Sequence, residues 1–136
     1  MKKLLCSLFA LSAVSTAMAQ EVNIKLLGTS DVHGRIVPWS YGADIEDKSG
    51  SYAQIATYVK DVRKNNKNVV LVDVGDAIQD NQVDVFAKDK KYYKDHPIPK
   101  VLNEMKYDVF VLGNHEFNFG MKALDEILKD IKAKKL

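Results

Sequence analysis

The sequence predicts an α/β fold built around a mainly parallel sheet. Three apolar segments of strand type alternate along the chain with three amphipathic segments of helical spacing. Alternation of this kind makes the helices crossovers between parallel strands. The second and third predicted strands are apolar on both faces, which suits strands buried between two layers. We find no internal repeat and no low-complexity segment that would favour another architecture.

The first 19 residues are predicted to be a secretory signal peptide. Two lysines open the chain, a short apolar run follows, and Ala17-Met18-Ala19 is a small-x-small cleavage pattern. An amphipathic first helix is the alternative, but the run is apolar on all sides and no cap precedes it. A lipoprotein anchor at Cys6 is disfavoured because this cysteine comes too early. We expect residues 20–136 to be periplasmic or secreted.

Composition excludes several classes of protein. The chain has 20 basic and 18 acidic side chains, and cleavage would remove two of the lysines. The exported part would then lack the basic excess that attracts nucleic acid or anionic lipid. The single cysteine lies in the signal segment, so no disulfide framework is expected. No later apolar run is long enough to cross a membrane. Composition therefore gives no reason to expect a nucleic-acid polymer or a membrane as partner of the exported chain.

The first half of the exported chain contains one predicted strand and one predicted helix. Residues 22–29 are rich in aliphatic and β-branched side chains, as in a strand. Residues 51–66 have apolar side chains three and four positions apart, as in an amphipathic helix. Ser51 is a suitable cap for this helix. The stretch between them, residues 37–50, is expected to be a long loop.

The second half contains two more strands and two more helices. Strands are predicted at residues 68–76 and 108–113, and helices at 96–107 and 121–136. Two prolines near the beginning of the 96–107 segment are typical of a helix N-terminus. The polar segment 85–95 is expected to be a surface loop or a frayed helix.

Polar side chains follow each of the three predicted strands. Asp31 and His33 come after the first strand, Asp76 after the second, and Asn114 and His115 after the third. The carboxyl ends of parallel strands share one edge of the sheet, where open α/β sheets bind ligands. We therefore expect these five side chains to lie within reach of one another.

These residue types indicate a metal centre. Carboxylate and imidazole are ligands for divalent transition metals of intermediate hardness. Asp31 and His33 can chelate one ion, and Asp76 can bridge two ions through its two oxygens. The amide oxygen of Asn114 is a neutral ligand for the second ion, while His115 is better placed to face a substrate. Two such ions suit in-line attack of water on phosphorus.

Three motifs carry a resemblance to a known family. They are DVHG (31–34), GDAIQDN (75–81) and GNHE (113–116), and together they resemble the calcineurin-like metallophosphoesterases. The surrounding residues look like the secreted branch of 5′-nucleotidases and 2′,3′-cyclic-nucleotide 2′-phosphodiesterases. The resemblance implies a four-layer α/β/β/α sandwich, of which this chain would supply the N-terminal half. It covers the chain from about Val22 to the last helix.

The resemblance implies a role for each site residue. Asp31 and His33 would bind the first ion, Asp76 would bridge, and Asn114 would bind the second ion. His115 would stabilise the transition state or protonate the leaving oxygen. The cofactors would be two divalent ions chosen from manganese, zinc, cobalt, iron and magnesium, and the substrate would be a small nucleotide.

One departure from the family pattern narrows the expected activity. The 5′-nucleotidases usually read GNHEFD, whereas Asn118 stands at the last position here. An amide can orient the His115 ring but adds no negative charge beside it. GNHEFN favours the 2′,3′-cyclic-nucleotide 2′-phosphodiesterase/3′-nucleotidase group over the 5′-nucleotidases and UDP-sugar hydrolases. Three further residues are expected to support the metal ligands and His115 without binding the ions themselves: Glu116, Asn81 and Asn118.

The family pattern also predicts that the site is incomplete. In the family a further histidine and a G-H-x-H segment supply metal ligands, but no histidine follows His115 in this sequence. Residues 20–136 are therefore expected to be the N-terminal portion of a truncated catalytic domain that needs the missing C-terminal part of its own chain. Alone, they should be inactive and poorly soluble. A secreted metal- or nucleotide-binding module without turnover is the competing hypothesis.

Overall fold

The computed structural model describes residues 21–136, so the predicted signal peptide lies outside the described residues. The strands are β1 (Lys25–Thr29), β2 (Trp39–Ser40), β3 (Ile45–Glu46), β4 (Val69–Asp73), β5 (Val109–Phe110) and β6 (Lys134–Lys135). The helices are α1 (Tyr52–Asn65), α2 (Asp84–Lys88), α3 (Pro97–Glu104) and α4 (Met121–Lys129). Among these described helices, none has the length and apolar character needed to span a bilayer.

Four strands form the main sheet, in the order β1-β4-β5-β6. Every pairing in this sheet is parallel, with Leu27 opposite Leu71 and Val72 opposite Val109. The sequence prediction of a mainly parallel α/β fold is thus confirmed. Because the strands run the same way, the turns that follow β1, β4 and β5 all lie at one edge.

The helices pack on one face of this sheet and leave the other largely bare. Leu71 and Phe110 are fully buried in a single core cluster with the inward side chains of α1, α3 and α4. On the opposite face, the side chain of Leu26 is 71% exposed. Ile24 lies two residues earlier, so its side chain points the same way, and it is 62% exposed. Within residues 21–136 these apolar side chains are therefore largely exposed to solvent.

Side-chain caps fix the starts of α1 and α3. Ser51 Oγ accepts the backbone N–H of Gln54 at the beginning of α1, as the sequence predicts. His96 caps α3, where its Nδ1 accepts the N–H of Ile98, and its Nε2 lies 3.2 Å from the carbonyl oxygen of Ile78. His96 therefore joins α3 to the turn after β4 from a fully buried position.

Three local predictions need correction. The 37–50 segment contains the antiparallel pair β2–β3, and the 85–95 segment contains part of α2 and a 3₁₀ helix, Lys90–Asp95. The last helix ends at Lys129 instead of residue 136, and β6 follows it, parallel to β5.

The early end of α4 has a clear cause in one side chain. Asn103 donates from Nδ2 to the carbonyl of Asp130 and accepts from the N–H of Lys132 through Oδ1. These two bonds satisfy backbone groups that would otherwise be unpaired at the end of the helix. Ile131 stays buried although it lies beyond the helix, so the apolar spacing continues after the helical backbone has stopped.

Candidate metal centre

Three turns meet at the carboxyl edge of the sheet. We call them the Asp31 turn (residues 30–34), the Asp76 turn (residues 74–79) and the His115 turn (residues 113–118). Backbone hydrogen bonds tie the first two, from Asp31 N–H to the Gly75 carbonyl at 3.1 Å and from His33 N–H to the Asp76 carbonyl at 2.9 Å. The third is tied by His115 N–H, which donates to Asp76 Oδ1 at 2.9 Å.

Asp76 lies at the centre of this arrangement. It is buried, and its backbone takes the left-handed conformation, with φ of 57°. The Asp76 and His115 turns approach so closely that a Cβ at Gly75 would collide with the Gly113 backbone, and one at Gly113 would collide with the Asp76 carboxylate. Asp31 and His33 also have positive φ values, of 53° and 49°. Unusual backbone conformations of this kind are enriched at functional sites.

His33, Asp76 and His115 form a group suited to a metal ion. One ligand atom from each lies within 4.8 Å of the others, and the two imidazole rings are 5.2 Å apart in edge-to-face orientation. The buried Nδ1 of His33 lies 3.2 Å from Asp80 Oδ2, yet it makes no hydrogen bond to any described residue. A buried imidazole nitrogen without a hydrogen bond, beside a carboxylate and a second imidazole, fits a divalent transition metal.

Asp31 and Asn114 lie at the exposed border of this group. Asp31 is exposed and lines a shallow open pocket together with His33 and Arg35, but its carboxylate is not one of the three converging groups. Asn114 is exposed and directly precedes the short 3₁₀ helix His115–Phe117. The structure therefore brings His33, Asp76 and His115 together. Asp31 is outside this group, and Asn114 is its exposed neighbour in the chain, next to His115.

Glu116 holds the Asp76 turn in place. Its carboxylate is fully buried and accepts four backbone N–H groups at 2.7–3.2 Å, those of Asp76, Ala77, Ile78 and Gly113. Hydrogen bonds to an ionised acceptor are stronger than neutral ones. One side chain from the His115 turn thus fixes the backbone on both sides of the central carboxylate.

Amide side chains surround the two histidines. Asn81 donates from Nδ2 to the carbonyl of His33 at 2.6 Å. Gln79 Oε1 lies 2.9 Å from His115 Nδ1 and also accepts from Asn118 Nδ2. Gln79 was not among the candidate residues from the sequence. Its place three residues after Asp76, in the GDAIQDN motif, was the one signal that could have pointed to it.

A buried polar network lies under the site. Asp73, the last residue of β4, accepts from Thr29 Oγ1 at 2.7 Å and from the N–H of Gly75 at 2.9 Å. Burial raises the pKa of Asp73 to about 6, although both of these hydrogen bonds act to lower it. Burial also lowers the pKa of His96, on the far side of the Asp76 turn, to about 4.

The chain matches relatives and solved structures over most of its described length. It is 39% identical over 119 residues to "Trifunctional nucleotide phosphoesterase protein YfkN" of Bacillus subtilis, a match that covers 82% of this chain and 8% of that protein. It is 37% identical over 131 residues to "2′,3′-cyclic-nucleotide 2′-phosphodiesterase/3′-nucleotidase" of Haemophilus influenzae, covering 93% of this chain and 20% of that protein. The chain thus spans a fifth or less of the length of these relatives.

A crystal structure of the calcineurin-like phosphoesterase YfkN from B. subtilis superposes with a TM-score of 0.75 at 36% identity. The superposition covers 83% of this chain and 36% of that one. The family model described as "Calcineurin-like phosphoesterase" matches residues 24–135, which include all three motif turns. The chain therefore belongs to the calcineurin-like phosphoesterase family.

Proposed function

We propose that this chain is the N-terminal part of a metal-dependent hydrolase that cleaves phosphoesters of nucleotides. The observation that carries the proposal is the convergence of His33, Asp76 and His115 within 4.8 Å, with a buried His33 nitrogen that lacks a hydrogen bond. The similarity to relatives named nucleotide phosphoesterases supports the substrate class.

Two divalent ions would be held by four side chains. Asp31 and His33 would bind one ion, Asn114 the other, and Asp76 would bridge them with its two carboxylate oxygens. When bound, the ions supply positive charge that polarises the phosphoryl group and activates water for in-line attack. The exposed positions of Asp31 and Asn114 keep their oxygens accessible to ions at the edge of the buried group.

His115 would transfer a proton to the leaving group. The water oxygen forms the new bond to phosphorus, and the ester P–O bond breaks with its electron pair moving to the leaving oxygen. That oxygen takes a proton from His115 Nε2, and the proton lost by the water passes to solvent. The Asp76 carboxylate fixes the backbone of His115 through the hydrogen bond to its N–H.

The preferred substrates are expected to be 2′,3′-cyclic nucleotides and 3′-nucleotides. The support is Asn118, whose amide lies beside His115 where 5′-nucleotidases usually have a carboxylate, and the similarity to the H. influenzae protein. A 5′-nucleotidase or a UDP-sugar hydrolase is the second candidate, since relatives named 5′-nucleotidase also match this chain. The predicted signal peptide supports a periplasmic or secreted location.

The test is a comparison of kcat/KM in the full-length protein. Purified protein is loaded with manganese or zinc and assayed on 2′,3′-cyclic AMP, 3′-AMP and 5′-AMP, with a chelator-treated sample as control. We expect turnover that depends on metal, with the first two substrates preferred. A clear preference for 5′-AMP would reject the substrate assignment, and metal binding without any turnover would support a binding module instead.

Residues 20–136 alone are expected to be inactive. Asp76 and Asn114 give the second ion two protein ligands, fewer than the three that catalytic zinc sites typically use. The bare sheet face around Leu26 would favour aggregation. Metal-dependent hydrolysis of bis(p-nitrophenyl) phosphate by a monodisperse sample of this segment would contradict the expectation.

A further inference from the structure

We propose that Gln79 is a positioning residue for His115. Its amide oxygen holds the imidazole ring so that Nε2 faces the phosphoester. The inference rests on the proposed function, because it concerns the histidine that would protonate the leaving oxygen. Gln79 lies within the GDAIQDN motif, but the sequence assigned it no role, and it is not part of the metal group.

The contact links two turns that are far apart in the chain. Gln79 lies in the Asp76 turn and is half-buried, and its Oε1 is 2.9 Å from Nδ1 of His115, 36 residues later. The backbone N–H of His115 is bound to Asp76 Oδ1 in the same turn. The histidine is therefore attached to the Asp76 turn at two points, one on its backbone and one on its ring.

The hydrogen-bond pattern determines which ring nitrogen is free. Asn118 Nδ2 donates to Gln79 Oε1, and it also lies 2.8 Å from His115 Nδ1. With Asn118 turned so that its nitrogen faces Gln79, the Gln79 oxygen is the acceptor that receives N–H groups from both neighbours. Both amides thus contact Nδ1, and Nε2 is the nitrogen left for proton transfer. Nε2 can act as the acid while Nδ1–H donates to Gln79 when the ring is the imidazolium, which carries a proton on both nitrogens.

Loss of this acceptor would misplace the proton donor and leave the metal ligands intact. Without the Gln79 oxygen, His115 Nδ1 would keep only its contact with the Asn118 amide nitrogen, and the ring would be free to turn. A substrate whose leaving oxygen is a ribose alkoxide needs the proton. A p-nitrophenolate leaving group is stable without one. The effect of a Gln79 variant should therefore depend on the leaving group, which a general structural defect would not cause.

The experiment compares two phosphodiesters in the full-length, metal-loaded enzyme. Gln79→Met keeps the side-chain length and removes the acceptor, and Gln82→Met makes the same change at an exposed glutamine three residues later. For Gln79→Met we expect kcat on 2′,3′-cyclic AMP to fall about 10- to 100-fold with little change in KM. On bis(p-nitrophenyl) phosphate the fall should be much smaller, and Gln82→Met should resemble the wild type on both substrates.

Two further variants protect the test against a folding defect. Gln79→Glu retains an oxygen that can accept both N–H groups and should keep most of the activity. Gln79→Asn shortens the side chain so that its oxygen no longer reaches His115, and this variant should behave like Gln79→Met. Equal losses on both diesters, or no loss in Gln79→Met and Gln79→Asn, would overturn the assignment. A metal-loaded wild type inactive on both diesters would instead overturn the proposed function, and this inference with it.

Discussion

The Asp76 turn and the Asp31 turn both carry proposed metal ligands but are held in different ways. The Asp76 turn is buried from Gly75 to Ile78, and Glu116 binds three of its N–H groups and that of Gly113. The Asp31 turn is exposed or half-buried except at Gly34, and it is held by backbone bonds to the Asp76 turn and by Asn81. One half of the centre is therefore built into the core, and the other half depends on it.

Because the two turns are held differently, substitutions in them should affect the stability of the fold and the binding of metal to different degrees. A change in Glu116 should affect the fold, the metal and the activity, because its buried hydrogen bonds hold the Asp76 turn. Changes in the exposed side chains of the Asp31 turn should affect mainly the metal. Only Gly34 in the Asp31 turn is buried. The following predictions test this separation, from the largest expected effect to the smallest.

Asp76→Asn should lower activity of the full-length enzyme at least about a thousandfold, since an amide cannot bridge two cations and transition-state charge stabilisation by metals is worth several kcal/mol. The substitution is nearly isosteric, so the fold should survive. Initial rates on 2′,3′-cyclic AMP and circular dichroism measure the two effects, with exposed Asp61→Asn on α1 as control. Near-normal turnover in Asp76→Asn would show that this carboxylate is not the bridging ligand.

Glu116→Gln should lower the free energy of unfolding by about 3 kcal/mol, because an amide nitrogen would face backbone N–H groups that now have a charged acceptor. Urea denaturation of the full-length protein measures the change. Glu104→Gln, at an exposed position on α3, is the matched control and should have little effect. If both variants unfold at the same urea concentration, the Asp76 turn does not depend on Glu116.

Asp73 should make stability depend on pH in the weakly acidic range. Its pKa is raised from 3.8 to about 6 in the fold, so the unfolded chain ionises first and stability is lost as pH rises from about 4 to about 6. The loss should reach about 3 kcal/mol. His96 acts in the opposite sense, because its pKa is lowered from 6.5 to about 4 and its contribution is lost as pH falls through this range.

The Asp73 contribution can be isolated by a difference measurement. In metal-free full-length protein, the stability of Asp73→Asn relative to wild type should rise by about 3 kcal/mol between pH 4 and pH 7, since the His96 contribution cancels. Urea denaturation across this range gives the difference. A difference that stays constant with pH would mean that the Asp73 carboxyl is not held in its protonated form by burial.

Asn81→Gly should have the smallest effect on stability, about 1 kcal/mol, because it removes one hydrogen bond to His33 at an exposed position. Glycine accepts the φ of 55° found there. Metal affinity, measured by calorimetry, should fall more clearly than thermal stability. The comparison between the two turns breaks down if Asn81→Gly destabilises the fold as much as Glu116→Gln does.

The sequence was sufficient for a parallel sheet and for the edge at which the three motif turns meet. Apolar runs that end at polar turns specify parallel strands and their common edge, so Asp31, Asp76 and His115 could be placed before the structure was known. The support for these residues could not be predicted in the same way. Glu116 bonds residues about 40 positions away and Gln79 bonds His115 across 36, and such contacts depend on how closely two turns approach.

The end of α4 shows a second limit. Apolar spacing continued to Ile131 and predicted a helix to the last residue, but Asn103, from α3, captures the backbone at Asp130 and Lys132. A side chain 27 residues away in sequence from Asp130 decides where the helix ends. Local periodicity cannot contain that information, and β6 was missed for the same reason.

Anomalous diffraction from crystals of the full-length protein grown with manganese or zinc tests the metal centre most directly. The account predicts anomalous peaks at the carboxyl edge of the sheet, with one ion about 2.0–2.2 Å from a His33 nitrogen and an Asp76 oxygen on each of two ions. The absence of a peak beside His33 and Asp76 in metal-saturated crystals, or ions bound only elsewhere on the molecule, would contradict it.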